Sequence, residues 1–194
     1  MYIGVYFFMS IKIKGKEYKV IDNFLPRIEF QEVKKNIVES YSIDWHYSKH
    51  VSTSESKIYV ASREKEKEQL CTWYMVHDVY RYSRPKSDYF EPLYQAFVPK
   101  FEELDIFKAL TRIKINFYPY TETVREHEMH QDKDWHIKAG IFSLNTCDGY
   151  TKLEDGTKID SVENRMLIFD ASQFHCSTTT SNTEARYNIN FNFL

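Results

Sequence analysis

The chain is poor in cysteine and carries no strong net charge of either sign. Its three cysteines, Cys71, Cys147 and Cys176, are odd in number and widely spaced, which excludes both a disulfide framework and a Cys-x-x-Cys zinc pair. The formal net charge of −2 excludes a protein-wide basic field that would draw the chain to nucleic acid or to an anionic membrane. This net charge does not exclude a local basic patch.

The sequence also lacks a hydrophobic run long enough to cross a bilayer. The apolar residues 2–9 are too few for a membrane span, and they have neither the basic flank nor the length of a signal peptide. We therefore predict a first β-strand there. The expected location is the cytoplasm, with no membrane partner.

The length of the chain predicts one domain over residues 1–194, and its sequence patterns divide this domain into two parts with different predicted secondary structure. Residues 1–110 are predicted to form N-terminal strands and supporting helices. Their elements are a hairpin over 11–21, a helix over about 26–40, a short strand over 42–47 and an amphipathic helix over 88–104. Residues 111–194 are predicted to form the core of a mostly β fold.

Eight short strands separated by turns are predicted in this second part: 112–118, 127–132, 137–144, 150–153, 158–161, 166–169, 175–179 and 186–193. Strands at this spacing are typical of a jelly roll, also called a double-stranded β-helix, whose mouth can hold a ligand. The N-terminal helices would pack on one sheet. The fold class is therefore α+β and mostly β.

A cluster of metal-ligand side chains lies in residues 127–136. Residues two apart on a strand project from the same face, so His130 and Asp132 could bind one metal ion. His175, on a later strand, is the candidate third ligand. Two imidazoles and one carboxylate leave the other coordination positions of the metal open, as non-haem Fe(II) chemistry requires. The stretch is not a zincin motif, because His127 and His130 are three residues apart instead of four.

Two predicted strands have polar residues along one face. If their apolar faces pack inside, these polar faces need water or a wet cavity. A small dicarboxylate in such a cavity would be held by the guanidinium of one arginine, with hydrogen bonds from tyrosine and asparagine. A plain solvent-facing surface is the alternative. The residues concerned are Lys114, Asn116 and Tyr118 on the first strand and Arg186, Asn188, Asn190 and Asn192 on the last.

These residues, in this order, resemble the 2-oxoglutarate- and Fe(II)-dependent oxygenases, most of all their prolyl 4-hydroxylase-like branch with its small phage-encoded members. The resemblance runs from about residue 110 to the end of the chain. The segments that carry it are Asn116-Phe117-Tyr118-Pro119, His130-Gln131-Asp132, Asp148-Gly149-Tyr150-Thr151, Asn164 to Phe169, and Phe174-His175 followed by Arg186.

The resemblance implies roles for particular residues. His130, Asp132 and His175 would hold Fe(II) and form the catalytic centre. Arg186 would pair with the distal carboxylate of 2-oxoglutarate. Hydrogen bonds to this cosubstrate are expected from Tyr118, Asn116 and Asn188. The implied reaction consumes O2 and 2-oxoglutarate, releases succinate and CO2, and hydroxylates a substrate, with ascorbate as an accessory reductant.

The substrate is less defined than the cofactors. A prolyl or other protein residue is the first expectation, and a peptide partner is preferred to nucleic acid. The chain also resembles the AlkB-type nucleic-acid demethylases, although their closing strand ends in a further arginine where this chain has Asn192. A non-catalytic jelly-roll binding module is the alternative of another class. Residues 73–89, where aromatic and basic residues mix, are interpreted as a site for single-stranded nucleic acid, a lid over a peptide or an ordinary surface layer. Nothing in the sequence indicates an oligomeric state.

Overall fold

The computed structural model describes residues 9–13, 16–49 and 73–194. The predicted strand over residues 2–9 lies outside these ranges except for its last residue, and so do Cys71 and the polar segment 52–69. The elements in chain order are β1 (Met9–Ile13), β2 (Lys16–Ile21), α1 (Arg27–Val38), β3 (His46–Ser48), β4 (Tyr74–Arg81), β5 (Arg84–Pro85), α2 (Phe90–Glu103), β6 (Leu110–Pro119), β7 (Lys138–Ser143), β8 (Tyr150–Leu153), β9 (Lys158–Asp160), β10 (Arg165–Asp170), β11 (His175–Cys176) and β12 (Ala185–Phe193).

The strands form two antiparallel sheets. The larger has the order β1-β2-β10-β7-β12-β6-β4-β3, with β5 paired to β4, and the smaller has the order β11-β8-β9. Several neighbouring strands in the large sheet, among them β2 and β10 and also β6 and β12, come from distant parts of the sequence, as crossing connections in a jelly roll require. The predicted fold class is confirmed, and the predicted N-terminal hairpin is present as β1 and β2.

One face of the large sheet packs on the helices. Helix α2 buries Leu93, Phe97 and Phe101 along one side, which confirms the predicted amphipathic helix. The ring centroid of Phe101 lies 4.5 Å from that of Phe193, and the ring centroid of Phe97 lies 4.6 Å from that of Phe191. The odd-numbered residues of β12 therefore belong to the aromatic core beneath the helices.

The opposite face of the large sheet is covered in part by the small sheet. A second apolar cluster joins Leu153 of β8 to Ile141, Leu167 and Phe169 of the large sheet. Beside this cluster lies the even-numbered face of β12. Because successive side chains on a strand alternate between faces, this one strand supplies both the helix-facing core and the interior of the roll.

Three predicted strands are absent, shortened or shifted. The strand predicted over 42–47 is present only as β3, His46–Ser48. Residues 127–132 form no strand and make one isolated bridge, which joins His130 to His175. The amide of Asp132 instead donates to the carbonyl of Ala171 at 3.0 Å, so the chain leaves the pairing after His130. The predicted strand 175–179 is reduced to His175–Cys176.

Strand β4 was not predicted from the sequence. It pairs with β6 along most of its length, with a register shift between Asp78 and Tyr80. A β-bulge of this kind interrupts the alternation of apolar and polar residues, and a strand is predicted from that alternation. Within the described residues, no helix is long and apolar enough to cross a membrane.

Candidate metal centre and adjoining pocket

The structure brings His130, Asp132 and His175 together. One ligand atom from each lies within 4.8 Å of the others, and the two imidazole centroids are 4.5 Å apart. The backbones of His130 and His175 exchange two hydrogen bonds of 2.9 Å, N–H to carbonyl in both directions. This reciprocal pair fixes two segments from different parts of the chain side by side, although the first is not a strand.

Backbone carbonyls set the orientation of both imidazoles. Nδ1 of His130 lies 3.2 Å from the carbonyl oxygen of Glu128, and Nδ1 of His175 lies 3.0 Å from that of Gln173. A carbonyl only accepts, so each Nδ1 carries the proton. Each Nε2 is left with a lone pair, the arrangement that second-sphere carbonyls commonly impose on metal-binding histidines.

Three donors hold the carboxylate of Asp132. Nη2 of Arg112 donates to Oδ1 at 2.7 Å, while the amides of Asn190 and Asn192 donate to Oδ2 at 3.1 Å each. Arg112 and Asn192 face each other across β6 and β12. Arg112 was not among the predicted site residues, but its even-numbered position in line with Lys114 was a usable signal.

The electrostatics give these residues the protonation states that a cation needs. Burial lowers the pKa of His130 to about 3, with His175 adding to the effect, and burial also lowers the pKa of His175. Burial alone would raise the pKa of Asp132, but the charge of Arg112 and the nearby histidines hold it well below its usual value. At neutral pH two neutral imidazoles thus face one carboxylate.

Arg186 lies in the same interior and has no anionic partner in the described part of the chain. The residue is 1% exposed. Nη2 donates to Oγ1 of Thr151 at 2.9 Å, Nη1 approaches the carbonyl of Thr178 at 3.4 Å, and Nε has no hydrogen-bond partner there. A buried guanidinium without a counter-ion is costly, which makes this pocket a natural site for a carboxylate.

Tyr118 and His127 line the pocket beside Arg186. Tyr118 is the cross-strand partner of Arg186, and its ring centroid lies 5.4 Å from the guanidinium carbon. Burial raises the pKa of Tyr118 to about 12, so its hydroxyl stays a neutral donor. The ring of His127 lies 5.3 Å from that of Tyr118, and Nδ1 of His127 contacts Oγ of Ser177 at 2.9 Å.

Asn116 and Asn188 face each other across β6 and β12. The amide of Asn116 donates to Oδ1 of Asn188 at 2.7 Å, and Oδ1 of Asn116 has no partner in the described residues. Both residues are 2% exposed. This burial contradicts the alternative that the polar strand faces lie against solvent.

Glycine is needed where β8 approaches Arg186. A Cβ built on Gly149 would lie 2.7 Å from Cδ of Arg186 and 2.7 Å from the carbonyl oxygen of Thr179. Real Cβ atoms do not approach other atoms so closely, so only glycine leaves room for the arginine. Sequence reasoning did not assign site roles to Gly149, Thr151 or His127. His127 gave no usable pattern, because it lies outside any strand.

The donor set fits a divalent transition metal, and the buried charge of Arg186 fits a carboxylate. Two imidazole nitrogens and one carboxylate oxygen are the facial ligand set that leaves coordination positions free on a non-haem Fe(II). The unpartnered Nε of Arg186 and Oδ1 of Asn116 are polar atoms that a bound ligand or water would satisfy.

A separate cavity lies on the helix-covered side of the sheet. It has a volume of about 1320 Å³, is lined by residues of α1, β3, β4 and α2, and includes none of the three candidate ligands. The candidate metal centre therefore lies apart from this cavity. Most of the predicted lid segment 73–89 forms β4 and β5, and its role as a lid stays a prediction.

Comparison with known proteins identifies solved structures that share this fold. No family model matches the sequence, and no curated protein matches it. Solved structures do match. A prolyl hydroxylase from Trichoplax adhaerens, in complex with a peptide fragment of the hypoxia inducible factor oxygen degradation domain, is 18% identical with a TM-score of 0.60, covering 91% of this chain and 83% of that one.

Two further structures extend the likeness. A 2-oxoglutarate-Fe(II) oxygenase family oxidoreductase from Burkholderia pseudomallei is 10% identical with a TM-score of 0.62, covering 90% of this chain and 84% of that one. The non-haem α-ketoglutarate-dependent epimerase SnoN of nogalamycin biosynthesis is 12% identical with a TM-score of 0.59, covering 91% and 77%. The chain therefore has the fold of the 2-oxoglutarate- and Fe(II)-dependent oxygenases. More particularly, prolyl hydroxylases are among the structures that share it, which confirms the resemblance at the level of fold.

Proposed function

We propose that the protein is a 2-oxoglutarate- and Fe(II)-dependent dioxygenase that hydroxylates a protein or peptide residue, with proline as the first candidate. The observation that carries this proposal is a single interior that holds both a His-Asp-His triad with ligand atoms within 4.8 Å and a buried arginine without a counter-ion. Neither feature has an evident structural use in a protein that binds no metal and no anion.

The triad would hold Fe(II) through Nε2 of His130, Nε2 of His175 and a carboxylate oxygen of Asp132. When bound together, the metal and 2-oxoglutarate supply the oxidative decarboxylation that activates O2 and yields succinate and CO2. The protein contributes fixed ligand geometry. Arg112, Asn190 and Asn192 hold the carboxylate in place, and no proton has to leave the imidazoles before the metal binds.

Arg186 would orient the cosubstrate. Its guanidinium is held by Thr151 on one side and by the ring of Tyr118 on the other, so it offers its free donors in a fixed direction. The neutral hydroxyl of Tyr118 would donate a second hydrogen bond to the same carboxylate. Asn116 and Asn188 line the interior next to them and exclude bulk water from the pocket.

A peptide substrate is supported by the fold and by the small net charge of the chain. One structure that shares the fold holds a peptide, as its title states. The net charge of −2 gives the chain no general attraction to nucleic acid. Hydroxylation is preferred to epimerisation because prolyl hydroxylases recur among the matching structures.

Succinate release under defined conditions tests the proposal. The protein is incubated in air with Fe(II), ascorbate and 2-oxoglutarate, and succinate is measured with and without a peptide mixture. We expect metal-dependent succinate from the wild type and none from His130→Gln, His175→Gln or Asp132→Asn. His136→Gln is the matched control, because its side chain is 88% exposed. A wild type that binds 2-oxoglutarate but releases no succinate would identify a binding module instead.

A further inference from the structure

Positive charge accumulates beside the metal centre. Arg112 contacts the candidate ligand Asp132, Lys114 lies on the same strand face as Arg112, and Lys133 directly follows Asp132 in the sequence. Arg81 lies on the neighbouring strand β4. Two of the four have acidic partners. Arg112 pairs with Asp132 at 2.7 Å, and Arg81 pairs with Asp78 at 3.1 Å. Lys114 and Lys133 form no ion pair among the described residues, because Asp78, which lies opposite Lys114 across β4 and β6, is already paired with Arg81.

Lys114 projects into the interior from β6. It lies on the same strand face as Arg112 and Asn116, opposite Asn190, whose amide holds Asp132. Its Nζ lies 5.9 Å from the ring centroid of Tyr74. Among the described residues it makes no hydrogen bond and no ion pair, although the residue is partly buried. An ammonium so placed needs an anion or water.

Lys133 lies at the rim of the same region. It follows the candidate ligand Asp132 directly, and its amide donates to Ala171 at 3.1 Å, so its position is tied to the metal centre. Its Nζ lies 5.0 Å from the ring of Trp135. Trp135 is 53% exposed, and Met129, which directly precedes the candidate ligand His130, is 40% exposed. The rim therefore combines a cation with apolar surface.

Neither lysine is required by the cosubstrate. Of the two carboxylates of 2-oxoglutarate, the distal one is accounted for by Arg186 and the other belongs to the end that binds the metal. A third anion therefore fits the two remaining ammonium groups. Nucleic acid is disfavoured, because its backbone is bound by a track of exposed lysines and arginines, whereas Lys114 is partly buried.

On the basis of the proposed function, we propose that the substrate carries a carboxylate, which Lys114 and Lys133 bind beside the metal centre. The protein thereby selects acidic substrates. The carboxylate belongs either to an aspartate or glutamate of a peptide, next to the residue that is modified, or to the side chain of a free acidic amino acid. Both sources share one chemistry, and the experiment separates them.

The test uses Lys114→Met and Lys133→Met, singly and together, because methionine keeps an unbranched chain of similar length without the charge. Lys35→Met on α1 is the matched control, since Lys35 is exposed on the helix layer. Affinity for 2-oxoglutarate is first measured by calorimetry on protein loaded with Mn(II). We expect all variants to lie within about twofold of the wild type, which shows that the fold and the cosubstrate pocket are intact.

Binding selectivity is then measured on the same Mn(II)–2-oxoglutarate complexes. The probes are a capped heptapeptide library with randomised positions around a central proline, and an equimolar mixture of free amino acids. Mass spectrometry of the bound fraction gives the ratio of acidic residues to their amides. We expect Asp and Glu to be enriched at least about tenfold over Asn and Gln in the wild type and in Lys35→Met. The double variant should lose this enrichment.

Several outcomes would overturn the inference. Equal recovery of acids and amides by the wild type would do so, as would preferential capture of a single-stranded oligonucleotide or a phosphopeptide added in parallel. A tenfold weaker affinity of Lys114→Met for 2-oxoglutarate would assign this lysine to the cosubstrate instead. A wild type that binds no 2-oxoglutarate refutes the proposed function itself, while its peptide selectivity remains measurable.

Discussion

Replacing Arg186 by methionine should separate the effect of this arginine on the stability of the ligand-free protein from its effect on 2-oxoglutarate binding. In the absence of a ligand, the guanidinium is a buried charge with one hydrogen bond of 2.9 Å to Thr151, a weak one of 3.4 Å to Thr178, and an unpartnered Nε. Exchange of a buried ion pair for apolar side chains of similar volume is commonly neutral or stabilising by about 1–4 kcal/mol, and an unpaired ion has no attraction to a counter-ion to lose. We therefore expect the ligand-free variant to melt at the same temperature as the wild type or higher.

The response to 2-oxoglutarate should change in the opposite direction. A ligand at about 100 times its Kd stabilises a protein by about 2.7 kcal/mol, which corresponds to roughly 5–10 °C for a chain of this size. Loss of a buried partner of a carboxylate costs about 2–5 kcal/mol of affinity, or a factor of about 30 or more. At the same ligand concentration, the stabilisation of the variant should fall below about 1 kcal/mol.

The assay is thermal unfolding of Mn(II)-loaded wild type and variant across a titration of 2-oxoglutarate, with calorimetry for the Kd. Arg186→Lys is the matched control, because it keeps a charge but loses the bidentate fork. A variant that responds to 2-oxoglutarate as the wild type does would refute the role of Arg186. A large loss of stability without ligand would refute the view that its charge is uncompensated.

Three further predictions concern the surroundings of the site. Gly149→Ala should weaken 2-oxoglutarate binding by about tenfold or more in calorimetry, because the added Cβ would lie 2.7 Å from Cδ of Arg186 and displace the guanidinium. Burial lowers the pKa of His127 to about 4, so the unfolded chain binds a proton below pH 6.5 that the folded chain does not. As the pH is lowered from 6.5 to 4, this residue should reduce the free energy of unfolding of the metal-free protein by up to about 1.4 kcal/mol per pH unit. Urea unfolding at a series of pH values measures this slope, and His127→Asn should have a shallower one. Arg112→Met should lower metal affinity about 10–100-fold in a competition assay with a chelator, because Asp132 loses its charged partner; unchanged affinity would show that the two asparagine amides suffice.

The sequence was informative where the chain is regular. Alternation along 186–193 correctly separated the face of Phe191 and Phe193 from the face of Asn188, and helical spacing correctly predicted α2. These patterns are local consequences of the periods of strand and helix. The convergence of His130, Asp132 and His175 was also predicted, although the argument assumed a strand that does not exist. An isolated bridge to His175 holds His130 in place instead.

The parts that could not be predicted depend on contacts between distant segments. Strand β4 is interrupted by a bulge, so its alternation was not visible. His127 acquires its place in the pocket through Ser177 and Tyr118, and no spacing rule connects these three. The need for glycine at position 149 follows from the close approach of Arg186, which only the folded chain creates.

The closing strand β12 makes the protein unusually sensitive to changes in length. Its odd residues fill the core beneath α2 and its even residues furnish the pocket, so one inserted or deleted residue would exchange the two sets. Phenylalanines would then enter the pocket, and an arginine and asparagines would be pressed against the helices. A point substitution on one face should affect either the core or the pocket, whereas an insertion or deletion of one residue within 185–193 should abolish folding and ligand binding together.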